Sequence, residues 1–413
     1  MHILFLSDNF PPEVNAPASR TFEHCREWVR AGHRVSVVTC VPNFPKGRVF
    51  AGYRNRLWQH EEMDGIRVVR VWSYIAANEG FVKRVADYLS FMAMATLAAL
   101  FIRKADIVVG TSPQFFTAVA AWLVATAKRV PWVFELRDIW PESIRTVGAM
   151  KPSRLLDMLE VFELFLYRRA SAVVSVTHSF RDNLIARGIE GGKIHVVTNG
   201  VDTSRFIPRE KDTALLRELG FEGKFVAGYV GTHGMAHALD TILDAARLMQ
   251  DSAEGNAFRF LLLGDGSNKP ALVARARDYG LSNVVFVDTV PKDEVVRYWS
   301  VLDVSIIHLR KTPLFETVIP SKLFECMGMG IPVLHGVRGE SADIVTREAV
   351  GLTFEPENAA DLCRCLAELQ REPDTLHRLR SNGPAAAAKY DRRVLAHEML
   401  DILERVAAGR PKI

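Results

Sequence analysis

The stretch Pro320-Ser-Lys-Leu-Phe-Glu325 sets a lysine and a carboxylate about one helical turn apart. Pro320 favours an extended residue before a helix and Ser321 is a good N-cap, so the order predicts a helix from Lys322. The free amides and positive end of such a helix form an anion site suited to a diphosphate, and Lys322 adds a full charge. Glu325 stands among residues of core character in "ECMGMGIPVL", where an unpaired carboxylate is expensive. Either it accepts two hydroxyl hydrogen bonds from a ribose, or it pairs with a nearby Arg or Lys.

Other nucleotide chemistries fit less well. The turn after the first apolar run, "SDNFPPEVNAPASR", holds no glycine where a dinucleotide fingerprint needs three. In "LLLGDGSNKPAL" Gly264 and Gly266 have the first spacing, but Lys269 occupies the third position. There is no phosphate-loop lysine motif and no Asp-x-Asp pair to carry a metal–nucleotide complex. A metal-independent nucleotide site is the expectation.

The elements that position this site follow from the apolar pattern. Short runs at Ile3 to Leu6, Val35 to Thr39, Ile107 to Val109, Trp132 to Glu135 and Ala172 to Val176 alternate with longer segments of helical character. A second series covers Phe225 to Val230, Arg259 to Leu263, Val284 to Val287, Val304 to Ile307 and Pro332 to His335. Alternation of this kind specifies parallel strands with crossover helices. The polar "VVTNGVDTSRFIPRE" between the series suits a hinge. The expectation is therefore α/β: two doubly wound domains facing a central cleft, 1–203 and 204–389, with a returning helix at 390–413. Val394, Leu395, Met399, Ile402, Leu403 and Val406 give that last helix its apolar side.

At 413 residues, 48% hydrophobic and 24% charged, the chain has ordinary globular composition. A net charge of +4 without basic tracts interleaved with aromatics argues against a nucleic-acid partner. Five cysteines without a CxxC pair suggest neither a disulfide framework nor zinc, and point to the cytoplasm. "MHILFLSDNFPP" is expected to be a buried first strand rather than a signal peptide. The apolar segment 82–102, with Lys83, Arg84, Arg103 and Lys104 at its ends, admits three roles: a packed helix, a helix docked on an anionic bilayer, or a span. Asp87 and Ser90 interrupt it, and a span inside an alternating series would break the sheet.

Taken together, "VVTNGVDTSRF", "LLLGDG" and "PSKLFECMGMGIPVL" resemble the family-four retaining glycosyltransferases of the GT-B fold. "FLSDNFPPEVNAPASR" and "FELRDIWPES" narrow the resemblance to bacterial enzymes of O-antigen and capsule synthesis, similar to those that transfer N-acetyl-fucosamine. The resemblance implies a nucleotide-sugar co-substrate, no other cofactor and no metal. Glu325 matches the second Glu of the family's E-x7-E motif. The first falls on Thr317, with Glu316 one place early, so either a bulge carries Glu316 to the sugar or the backbone of Val318 to Ser321 replaces it.

Two further departures concern the phosphates. "YVGTHGMAHALD" offers Gly231, His233, Gly234 and His237 where the family places Arg and Lys, leaving Lys322 as the replacement cation and His233 as its helper. Asn15-Ala16-Pro17-Ala18 stands in place of the family's Gly-Gly, so amides of Asn15 or Ala16 are expected near the donor phosphate; Pro17 has none to give. Gly264 belongs to the same donor side. Asp138 is the candidate to orient or deprotonate the acceptor hydroxyl and Arg137 to bind its phosphate, unless the two are a structural pair. Arg20, Glu135, Trp140 and Glu142 are acceptor-side candidates, against plain alternatives of a solvated Arg and a packing Trp.

The resulting expectation is a metal-independent hexosyltransferase. It would move a UDP-activated N-acetylated or 6-deoxy aminosugar to a polyprenyl-diphosphate-linked saccharide. It would act peripherally on the inner face of the plasma membrane. A nucleotide-sugar epimerase on the same scaffold, acting without an acceptor, is the alternative, and a catalytically inactive binding protein the third.

Overall fold

The near-continuous apolar runs become parallel strands buried on both faces, as strands of that composition must. A computed structural model of the protein describes residues 1–44, 47–75, 81–140, 153–253, 255–291 and 293–409. The chain divides into two compact units, Met1–Asn199 with Arg392–Ile413, and Gly200–Asp391.

The first unit runs β1 (His2–Leu6), α1 (Ala16–Arg30), β2 (Arg34–Cys40), β3 (Trp58–Met63), β4 (Ile66–Val71), α2 (Phe81–Phe101), β5 (Ile107–Thr111), α3 (Phe115–Lys128), β6 (Trp132–Leu136), α4 (Arg154–Arg169), β7 (Ala172–Ser175), α5 (His178–Ala186) and β8 (Ile194–Val196). Its sheet has the order β3-β4-β2-β1-β5-β6-β7-β8, parallel except where β3 meets β4. Leu6 of β1 pairs with Val38 on one side and Gly110 on the other. The order therefore reverses between β1 and β5, which opens a crevice at their carboxyl ends where doubly wound sheets take ligands. Alternate residues of β1 feed separate cores: Ile3 and Phe5 join Trp28, while Leu4 and Leu6 join Phe91, Phe134 and Tyr167.

The second unit runs α6 (Thr213–Glu218), β9 (Phe225–Val230), α7 (Asp240–Gln250), β10 (Phe258–Leu263), α8 (Lys269–Asp278), β11 (Val284–Val287), α9 (Val295–Ser300), β12 (Val304–His308), α10 (Lys322–Met329), β13 (Val333–Gly336), α11 (Glu340–Arg347), β14 (Gly351–Thr353), α12 (Ala359–Arg371) and α13 (Pro373–Ala388). The all-parallel order β11-β10-β9-β12-β13-β14 puts its switch between β9 and β12. Val201 and Asp391, at the two ends of this unit, lie side by side, with the Val201 amide bonded to the Tyr390 carbonyl at 3.0 Å.

The last helix, α14 (Arg392–Ala408), belongs to the first unit. Leu395, Met399 and Leu403 enter the core beside Phe5 and Trp28, and the Trp28 indole donates to the Ala396 carbonyl at 2.7 Å. Arg392 grips Glu23 of α1 through both carboxylate oxygens. Val394, expected on the apolar side, is 47% exposed, and Leu400 is buried instead.

Three strands escape the apolar pattern. β3, "WQHEEM", is polar because it is a half-exposed edge, and Asp64-Gly65, both with positive φ, turn it back into β4. β8 and β14 are three residues each, too short to carry a period.

Helix α2 is the crossover from β4 to β5. It buries Phe91, Ala95, Ala98 and Ala99 against the sheet and α3, while Leu89, Leu97, Leu100 and Phe101 remain 41, 49, 41 and 68% exposed. By length and composition alone it could cross a membrane, and 22% of that stretch is buried, so most of it is not covered by the rest of the protein. It is a packed helix with an apolar outer face.

Candidate functional site

In the second unit the loops after β9 and β10 lie backbone to backbone. Gly231 donates to Leu263 O at 2.9 Å, His233 to Asp265 O at 2.9 Å, and Asn268 to His233 O at 2.9 Å. Gly264, at φ +142°, approaches so closely that a Cβ there would sit 1.9 Å from the Gly231 carbonyl oxygen. The Gly-x-Gly of "LLLGDG" is thus explained by loop-on-loop packing at the switch point.

Helix α10 points its first turn at the same loops. Ser321 holds the N-cap position, but with helical backbone angles of −58° and −29° its hydroxyl makes no capping bond, contrary to the sequence expectation. Amides of Leu323 and Phe324 reach back to Pro320 O and Ser321 O at 3.0 and 3.2 Å. The Lys322 ammonium lies 3.6 Å from the centroid of the Tyr229 ring and 2.9 Å from where a Cβ on Gly231 would stand; the φ of +145° at Gly231 is what calls for a glycine there. Although Lys322 is partly exposed as a residue, its Nζ is closed off from solvent and has no hydrogen-bond partner. Burial pulls this ammonium down to about 7.

His233 is fully buried with neither ring nitrogen bonded. Burial, helped by Lys269 and Lys322, lowers it to about 4, so it is neutral at pH 7. The expected helper role is corrected accordingly: His233 offers a hydrogen bond, not a charge. Glu325 is half-buried, not part of the core, because it lies on the side of α10 away from Leu323, Phe324, Cys326 and Met327. Glu316 is half-exposed on a single 3₁₀ turn, Phe315–Thr317, and the Thr317 hydroxyl folds back to Leu314 O at 2.7 Å.

In the first unit two expected ligand contacts, Arg20 and Trp140, are structural. Asn15 caps α1, accepting from Ala18 N at 2.8 Å and donating to Asn9 Oδ1 at 2.6 Å, while Ala16 is exposed in the first turn. Arg20 is buried, not solvated: it donates to Glu135 Oε1 at 2.9 Å, Thr198 O at 2.6 Å and Val197 O at 3.0 Å. Burial raises Glu135, but the guanidiniums of Arg20 and Arg137 outweigh it and hold the carboxyl below its ordinary range. Trp140 stacks on Phe115 at 4.6 Å between centroids and meets Phe116 edge-on, so it packs the core and is not a free sugar platform. Glu142 lies outside the described residues.

Arg137 differs from these. The amides of Arg137 and Asp138 are both fixed by the Ser112 hydroxyl, at 2.7 and 3.2 Å. Yet the Arg137 Nε and Nη1 are buried without a partner, and burial draws the guanidinium down to about 10. Such groups suit an incoming anion. Among the described residues no group of three or more His, Cys, Asp or Glu side chains is arranged to hold a metal.

The sequence reading missed Tyr229, whose place one residue before the end of β9 aims it at the α10 terminus. It also missed Asp8 and Asp87. Asp8 follows β1 directly at the switch point, and the charge of Asp87 inside an apolar helix was the available signal.

Comparison with known proteins agrees with this architecture. Residues 15–200 match the glycosyl transferase 4-like domain and residues 224–372 the glycosyl transferases group 1. The Escherichia coli K12 protein assigned as colanic acid biosynthesis glycosyl transferase WcaI is 24% identical over 340 residues, 80% of this chain and 82% of that one. A GDP-mannose-dependent alpha-mannosyltransferase of Mycobacterium tuberculosis is 26% identical over 355 residues, 85% and 83% of the two chains. Sucrose-phosphate synthase of Thermosynechococcus elongatus has the same fold, with TM-score 0.79 at 15% identity over 99% of this chain and 100% of that one. HepE of Anabaena, solved with UDP-glucose, gives 0.72 at 18% over 98% and 100%. Neither family match supports the epimerase alternative. With both units matched and the fold shared, the chain belongs to the GT-B glycosyltransferases.

Proposed function

We propose that the second unit holds a nucleotide-sugar and that the enzyme passes the sugar, with retention of anomeric configuration, to a polyprenyl-diphosphate-linked saccharide. The pathway is assembly of O-antigen, capsule or exopolysaccharide, in line with the colanic acid relative. The single observation that carries the donor site is the Lys322 ammonium, buried without a partner at the start of α10 and beside Gly231. A diphosphate would supply the missing acceptor, and the α10 amides would share its charge.

On this reading Glu325 takes the ribose hydroxyls and Glu316 the sugar hydroxyls. Gly231 keeps the Lys322 ammonium close to the loop, Gly264 lets the two loops pack, and Pro320 with Ser321 sets the start of α10. Lys322 and neutral His233 stabilise the leaving diphosphate in place of a metal ion. The departing phosphate accepts the proton of the acceptor hydroxyl, so no protein nucleophile is needed. Asp138 orients that hydroxyl, and the unbonded Nε and Nη1 of Arg137 receive the acceptor's phosphate. We favour UDP with an N-acetylated or 6-deoxy aminosugar, on the strength of the opening motifs. The mannosyltransferase relative makes GDP the competing base.

The outer face of α2, with Lys83, Arg84, Arg103 and Lys104 at its ends, is proposed to rest on the anionic inner face of the plasma membrane. The test is release of free nucleotide from UDP- and GDP-sugars with and without polyprenyl-linked oligosaccharide extracted from bacteria, with the product anomer read by NMR. Release that depends on the lipid, with retention, is expected. Release unaffected by the lipid, or an inverted product, would overturn the proposal.

A further inference from the structure

The Lys322 ammonium is enclosed where it stands. Its Nζ is closed off from solvent, with the face of Tyr229 at 3.6 Å on one side and Gly231 on the other. A Cβ on Gly231 would lie 2.9 Å from that Nζ and 3.4 Å from the lysine Cε, so the end of the side chain fills the space a larger residue would take. A phosphate oxygen bonds an ammonium at about 2.7–2.9 Å. Either the loop or the lysine must move before such a bond forms.

The loop is tied down. The amides of Gly231 and His233 donate to Leu263 O and Asp265 O, and the Arg310 amide to Ala236 O, each at 2.9 Å. Arg310 Nε holds Met235 O at 2.8 Å. The Tyr229 ring is fixed as well: it is fully buried, and its hydroxyl donates to Thr232 O at 2.9 Å.

The lysine is the mobile partner. Its ammonium makes no hydrogen bond, so none is broken when it leaves, and a flexible four-carbon stem lets the head travel. His233 and His237 flank the same ring at 5.9 and 5.8 Å between centroids, and burial lowers them to about 4 and about 3, so at pH 7 they bring no charge to hold it. An aromatic face attracts a cation without fixing a direction, whereas a diphosphate offers full charge and oxygen acceptors. The ring therefore holds the ammonium more weakly than a diphosphate would. An ammonium already out of water also spares the diphosphate the cost of dehydrating it.

We infer that Tyr229 is a positioning residue for the donor: its ring keeps the Lys322 ammonium dehydrated beside the start of α10, and the lysine swings from the ring onto the diphosphate when the nucleotide-sugar binds. The inference rests on the donor-site reading above and adds the step that delivers Lys322.

NMR of the full chain, isotope-labelled at the lysine ε-carbon, tests it with UDP and inorganic pyrophosphate as probes. Protons over an aromatic face are shifted upfield, so one lysine signal should stand apart in the wild type and be absent from Lys322→Met. It should persist in Tyr229→Phe, which keeps the ring, and join the ordinary lysines in Tyr229→Leu. Either probe, once calorimetry shows it bound, should return the wild-type signal to the ordinary lysine position. UDP affinity should fall about fivefold in Tyr229→Leu and stay within about twofold in Tyr229→Phe. If Tyr229→Leu fails to fold, the wild type and Tyr229→Phe still decide the case. A signal that stays upfield with UDP bound, no upfield signal in the free protein, or unchanged UDP affinity in Tyr229→Leu would overturn the inference and leave the donor reading standing. If neither probe binds the wild type, the donor reading falls and the handover falls with it.

Discussion

The Lys322 ammonium lies 3.6 Å from the centroid of the Tyr229 ring and has no hydrogen-bond partner. A cation over an aromatic face gains roughly 0.5–2 kcal/mol, less than the cost of removing an ammonium from water. Stability is therefore given up at this position, as at many functional sites.

Replacing the charge should recover that stability. Lys322→Met is expected to stabilise the protein by roughly 1–3 kcal/mol at pH 7, read by thermal or denaturant unfolding. The sign follows from the lowered pKa: Lys322 titrates near 7 when folded and near 10.5 when unfolded, so its penalty is complete below pH 7 and fades as pH rises towards 10.5. The advantage of the variant should shrink over the same window. A variant less stable than wild type at pH 7 would contradict the account.

Donor affinity should carry the same group's signature. Only the ammonium attracts a diphosphate, and the free protein loses that proton near pH 7. Nucleoside diphosphate affinity should fall by up to about tenfold per pH unit from pH 7 to 9. Calorimetry in buffers of differing ionisation heat should detect proton uptake on binding above pH 7. Affinity independent of pH across this range would exclude Lys322 as the neutralising cation.

Arg20 separates structural from ligand roles. Removing it strands Glu135, which is 1% exposed, so Arg20→Ala should cost roughly 3–5 kcal/mol of stability. An unchanged melting temperature with lost transfer activity would instead make Arg20 a substrate contact.

The outer face of α2 predicts membrane behaviour. Changing Leu97, Leu100 and Phe101 together to serine should lower stability modestly without unfolding the protein, since they are 49, 41 and 68% exposed. Each inserted side chain is worth up to roughly 1.5–3 kcal/mol, so co-sedimentation with phosphatidylglycerol vesicles should drop more than tenfold. Equal co-sedimentation would remove α2 as the docking element.

What the residues disclose in advance depends on how local the governing physics is. The strands β1 and β9 were legible because burial on both faces demands unbroken apolar runs. Edge strand β3 was not, since one polar edge relaxes that demand; the Asp64-Gly65 turn was the clue. In the site, Lys322 at the start of a helix follows from local order alone. The conversion of Arg20 into an internal strut depends on Glu135 and Thr198, 115 and 178 residues away, and nothing near Arg20 announces it. Trp140 was ambiguous for the same reason, because Phe115 decides its role. Asp8 and Asp87 line one cavity only once β1 and α2 are folded, which left it invisible to spacing.

The central claim is that Lys322 and Glu325 hold a nucleoside diphosphate in the second unit. Its most direct test is calorimetric titration of UDP and GDP at pH 6.5, without metal, into wild type, Lys322→Met and Glu325→Ala. A charge-assisted contact is worth about 1.5–3 kcal/mol, so one nucleotide should bind wild type and bind each variant roughly 10- to 150-fold more weakly. Equal affinity in all three proteins, or no nucleotide binding to wild type, would contradict the account.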